Sequence, residues 1–178
     1  MIEHLAGATA LRVWCLLFFL VGLILPMELQ GASEDGAYRI KASYIFNFLR
    51  YTTWQEDAGG ELRIAVLSSS DFMKTFRDVE KQKVWDRRIK VYEVDKVEDL
   101  PEDCHIFVYI EENGNMMFEN LPKGVLTITD QLSGIDKGAM LCFFKEKDRI
   151  LFEINYSQVK ESGINMSARL LKIAKIKK

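Results

Sequence analysis

Histidine is nearly missing from this chain, with only His4 and His105 in 178 residues. Cysteine is almost as scarce, with Cys15, Cys104 and Cys142, and there are three prolines. Each scarcity excludes something. A Ser-His-acid nucleophile set needs a histidine base, and zinc sites draw on several His or Cys ligands. His105 follows Cys104 directly in the run CHIFVYI. Neighbours along a strand point to opposite faces, so these two cannot act as a touching pair. His105 is therefore expected as a packing residue at a strand end. The sequence holds no HExxH, CxxC, GxGxxG or GxxxxGK[ST] pattern and no EF-hand loop. It points to no catalytic residue, no metal site and no cofactor, and so to a protein that is not an enzyme. An excess of one charge sign is missing too: 24 Lys and Arg meet 26 Asp and Glu, a formal −2. Nucleic-acid partners demand a basic excess that is not there.

What is present begins with an apolar run, VWCLLFFLVGLIL at 13–25, behind Arg12 and ahead of Pro26 and the small residues Gly31, Ala32 and Ser33. The run is short for a membrane-crossing helix, which needs about 20 residues. This pattern predicts a cleavable signal peptide over 1–33 and an exported mature domain over 36–178. Without residues 1–33 the chain carries 23 basic and 24 acidic residues, Cys104, Cys142 and His105. With 48% hydrophobic and 28% charged residues overall, it reads as one globular domain.

Hydrophobic spacing predicts the elements. Residues 37–54 carry an apolar stripe through Tyr38, Ala42, Ile45 and Leu49, widened by Tyr44, Phe48 and Tyr51, and read as a helix. Residues 62–68 read as a buried strand, 71–83 as an amphipathic helix capped by Ser70 or Asp71, and 88–94 as an alternating strand. Strands follow at 104–110 and 124–130, with a short helix from MMFENL between them. Residues 139–146 and 149–155 form a hairpin around Lys147-Asp148. Two short helices close the chain on either side of Gly163. In the last, Met166, Leu170, Ile173 and Lys177 form one stripe. Alternating helices and strands followed by a hairpin predict an α/β single-domain sandwich: a mixed central sheet, a C-terminal antiparallel hairpin and helices on both faces.

Two candidate surfaces follow. The aromatic excess of the first helix, Tyr44, Phe48, Tyr51 and Trp54, is a candidate partner-binding surface, since interfaces favour aromatics. Alternatively, Ser68, Asp130, Glu153 and Asn155 stand at or near strand ends and make a candidate small-ligand cleft at the sheet edge. Asn155 also fits a helix N-cap, with Gln158 three residues on completing a capping box. Glu153 is expected to be solvated or buried against a base, because an unpaired buried carboxylate is costly.

The ordered blocks KASYIFNFLRYTTW, LRIAVLSSSDF, DRRIKV, CHIFVYI, GVLTITD, GAMLCFF and RILFEINYSQVKESGINMSARLLKIA span nearly the whole mature chain. Together they resemble the YfiR family of exported bacterial proteins. The resemblance implies a periplasmic, non-enzymatic α/β protein. It would restrain a membrane-bound diguanylate cyclase by binding the periplasmic sensor domain, and so control cyclic-di-GMP. The resemblance also implies an outer-membrane lipoprotein that draws the regulator away, and pairing into a homodimer. Some members carry extra cysteines that bridge to positions matching Cys104 and Cys142. Strand 62–68 has no cysteine here, so both are expected as buried free thiols without a disulfide.

Overall fold

A computed structural model describes residues 34–177 except 56, 58, 112 and 113; the expected signal peptide lies outside the described residues. The first helix, α1 (Glu34–Tyr51), turns its 3–4 stripe inward and buries Tyr38, Ala42, Ile45, Phe48 and Leu49. It is followed by β1 (Thr52–Trp54), which pairs antiparallel with β9 (Ile164–Met166). The helix expected through residue 54 thus stops at Tyr51. The run Thr-Thr-Trp is β-branched and aromatic, and a pairing strand overrides continued helical spacing.

The main sheet has eight strands. They are β2 (Leu62–Ser68), β3 (Lys83–Val84), β4 (Arg87–Glu93), β5 (Ile106–Ile110), β6 (Leu126–Thr129), β7 (Leu141–Glu146), β8 (Arg149–Asn155) and β10 (Lys175–Lys177). Their spatial order is β10-β8-β7-β6-β5-β2-β4-β3. The five strands from β4 to β7 run parallel, and hairpins add β8 and β3 antiparallel at the two sides. All five residues of β5 and all four of β6 are buried, the continuous apolar pattern of parallel strands covered on both faces. The fold is the expected mixed α/β single domain.

One face of the sheet packs on α1 and on α2 (Ser70–Glu80), whose Phe72, Met73, Phe76 and Val79 are buried. The same apolar cluster takes in Val159 of α3 (Tyr156–Glu161) and Leu170 of α4 (Ala168–Leu171). The other face carries a smaller cluster of Ala65, Phe107 and Tyr109. It is closed by Phe118, Val125 and Ala139 from loops and by the 3-10 turns Val97–Asp99 and Gly134–Lys137.

Three local expectations are corrected. The segment MMFENL is not helical: Gln131 pins Met116 at its start, and Glu119-Asn120 form a turn. The Gln131 side chain accepts from the Met116 N–H at 2.7 Å and donates to the Met116 carbonyl at 3.0 Å. Neither Ser70 nor Asp71 caps α2; Ser69 occupies the extended cap position and makes no side-chain cap bond. The C-terminal stripe through Ile173 and Lys177 does not continue as a helix. After α4, capped by Ser167 Oγ accepting from Leu170 N–H at 3.3 Å, the chain becomes β10 and pairs parallel with β8. The open backbone edge of β8 offers hydrogen bonds that outweigh four residues of helical spacing.

Candidate functional site

The aromatic surface does not form as a unit. Phe48 is fully buried, with ring centroids 5.0 Å from Phe152 and 6.0 Å from Phe143. It is a core residue and cannot meet a partner. Tyr44 is half-buried and packs edge-on to Phe152 at 5.1 Å. Tyr51 lies between the guanidinium groups of Arg50 and Arg169. Trp54 sits on β1 and turns the edge of its ring to His105, with centroids 5.2 Å apart.

The four cleft residues are also separated. Ser68 and Asp130 share the face of Val66 and Ile128, toward α1, and Asp130 meets Lys41 of α1 at 2.5 Å. Glu153 stands level with Cys142 and Thr129 on the opposite face, and Asn155 shares that face. No common cleft brings them together. Glu153 is half-buried, with Lys175 of β10 at 3.7 Å, which answers whether it is solvated or paired. Asn155 caps α3: its Oδ1 accepts from Gln158 N–H at 3.3 Å, and Gln158 Nε2 donates to the Gly138 carbonyl at 2.8 Å. Cys104 and Cys142 are free and buried. Burial pushes both thiols up to about 11.

A different set of side chains converges at the start of the parallel strands. His105, just ahead of β5, is buried, and its Nδ1 accepts from Arg63 N–H of β2 at 3.3 Å. That acceptor role puts the ring proton on Nε2, which faces Asp57 Oδ1 at 3.4 Å. Asp57 forms a two-pronged ion pair with Arg87, the first residue of β4, and also accepts from Gly59 N–H at 2.9 Å. Arg87 donates further to the carbonyls of Gly60 at 2.9 Å and Glu61 at 3.2 Å. One guanidinium therefore ties the 57–61 loop to the β3–β4 hairpin. Burial lowers the His105 pKa below its ordinary value, the Asp57 carboxylate offsets part of this, and Arg87 and Arg63 add to the lowering. At Asp57 burial opposes ionisation, but the bonds from Arg87, Gly59 and His105 outweigh it and hold the carboxyl at about 2. At neutral pH the cluster is a neutral imidazole between a fixed anion and a fixed cation. A cavity of about 460 Å³ lies beside it, lined by Trp54, Arg63, Asp103, His105, Lys123 and Lys160 among others.

Sequence reasoning placed His105 at a strand end but missed its partners. Asp57 lies between the first helix and β2, and Arg87 opens β4; neither carries a motif of its own. The one available signal was Asp57 two residues before Gly59, the spacing of an Asx turn. Among the described residues no His, Cys, Asp and Glu group has the arrangement to hold a metal ion, and no helix is long and apolar enough to cross a membrane. Among the described residues the His105 ring meets a backbone N–H, a carboxylate, a guanidinium and the edge of the Trp54 ring. The geometry is that of a polar clamp that ties the start of the parallel strands to the residues around Asp57.

A family model described as YfiR/HmsC-like matches residues 38–175, so the chain belongs to that family of regulators. No curated protein matches the chain.

Proposed function

We propose that this protein is an exported regulator that works by occupancy. It binds the periplasmic sensor domain of an inner-membrane signalling protein, a diguanylate cyclase first of all, and holds cyclic-di-GMP synthesis down. An outer-membrane lipoprotein that sequesters it would release the cyclase. The observation that carries this reading is the family match over residues 38–175. The apolar run behind Arg12 supports export. Regulation of this kind needs differential affinity for one state of the partner and no chemistry. A sensor kinase in place of the cyclase is the same mechanism with a different output.

The test is genetic. Deleting the gene raises cellular cyclic-di-GMP, and the full chain supplied in trans restores it. A copy lacking residues 1–33 does not restore it. An unchanged cyclic-di-GMP level on deletion, with a phosphorelay output changed instead, moves the partner from cyclase to kinase. No change in either removes the reading.

A further inference from the structure

Trp85 stands at the tip of the hairpin joining β3 and β4, where Val84 pairs with Arg87 and leaves Trp85-Asp86 as the turn. It is 82% exposed, against core aromatics at 0% such as Phe72, Phe76 and Phe107. Its φ is 56°, in the left-handed region, where glycine or asparagine is at ease and a bulky side chain is an outlier. The two-residue turn itself asks for a positive φ here, as at Lys147 in the other hairpin, but it does not ask for a large exposed ring. Such sites are where function is expected. The base of the hairpin is the opposite of loose. Arg87, two residues on, makes the Asp57 ion pair and the bonds to Gly60 and Glu61 described above. The tryptophan is held out on a rigid mount, so little ordering cost remains when it is buried by something else.

The charges around the tip decide what that something is. Lys83 and Arg88 are direct cross-strand partners, and Arg63 and Lys90 are another such pair on the same face. Arg63, Arg88 and Lys90 have carboxylates at 2.6, 3.4 and 3.2 Å, from Asp103, Glu61 and Glu80. Lys83 has no carboxylate within ion-pair distance among the described residues. A face so nearly balanced lacks the cation excess that anionic lipid requires. It suits a protein, and Trp with Arg is the pairing that dominates interface hot spots. We infer that the β3–β4 hairpin is a docking knob: Trp85 fills an apolar socket on a protein partner, and Lys83 meets a carboxylate at the socket's rim.

Lys147 provides an internal control, since it sits in the β7–β8 turn with the same φ of 56°, is exposed and carries no aromatic ring. The photoreactive residue p-benzoylphenylalanine is placed at position 85 or at position 147 of the full chain, in the organism that encodes it. Irradiation is expected to give a discrete protein adduct from 85 and none from 147, and mass spectrometry identifies the captured protein. That protein, purified, is titrated with the wild type and with variants. Trp85→Ala is expected to weaken binding about 100-fold and Lys83→Glu about 10-fold, while Trp85→Phe recovers part of the loss. Trp85→Gly is expected to lose binding with a thermal midpoint equal to or above the wild type, because glycine takes this φ freely. That separates a docking residue from a folding one. The absence of an adduct at 85, adducts only with phospholipid or with a second copy of the chain, or a Trp85→Ala affinity within about threefold of wild type would overturn the inference. Capture of an envelope protein other than a cyclase or kinase, with the same variant pattern, keeps the knob and removes the functional reading above.

Discussion

His105 is a buried imidazole held between charges of both signs. It is buried neutral, flanked by Asp57, Arg87 and the N–H of Arg63, and its lowered pKa has a definite consequence. The unfolded chain binds a proton at about pH 6.5 and the folded chain only at lower pH. The stability it contributes is complete above that value and is lost as pH falls through the folded pKa. Asp57 acts in the same direction at lower pH: its contribution is present above the ordinary carboxylate range and fades as pH falls toward about 2. Denaturant unfolding should show stability falling as pH drops below about 6.5, and His105→Gln should flatten that limb. An unchanged slope in the variant would mean that the imidazole is solvated. Trp54 offers a second test. Its indole N–H is buried with no hydrogen-bond partner among the described residues, so Trp54→Phe should cost less stability than the loss of ring volume alone would. Phe48→Ala, by contrast, empties a fully buried ring site between Phe143 and Phe152 and should cost about 3–5 kcal/mol in chemical denaturation. If Phe48→Ala folds with wild-type stability, the ring belongs to a surface after all.

At the scale of elements, β10 matters beyond its three residues. It covers the outer edge of β8, with Lys175 beside Glu153 and Lys177 bonded to Asp136 of the 3-10 turn. Removing residues 175–178 should uncover that edge and lead to concentration-dependent self-association, read by light scattering. A truncated chain with the same association state as the full chain would show that the edge needs no cover. Removing a cap is milder: Asn155→Ala should cost about 1 kcal/mol. The elements that could be read from residue patterns were those with a periodic stripe or a continuous apolar run, α1, α2, β2, β5 and the β7–β8 hairpin. The misread ones share a physical cause. β1, β9 and β10 are short, and each is a strand because another strand is there to pair with it, which no window of spacing contains. The Asn155 cap was readable because a cap is local. The Asp57–Arg87–His105 clamp was not, because its members are 18 to 48 positions apart and meet through sheet order.

The whole molecule is a mixed α/β domain of the YfiR/HmsC-like family, proposed above to work by occupancy. Its thiols fit that: Cys104 and Cys142 are buried with pKa raised to about 11, so alkylating reagents should modify them only after unfolding. A mass equal to the dithiol form is expected for the native protein, and a mass lower by two protons would contradict it. The central claim is regulation by occupancy of a membrane partner. Its most direct measurement is a titration of the purified mature chain against the purified periplasmic domain of the diguanylate cyclase encoded in the same organism. The account predicts saturable one-site binding and, in membranes carrying the full cyclase, cyclic-di-GMP synthesis that falls in step with occupancy. Absence of binding, or binding that leaves synthesis unchanged, would contradict it.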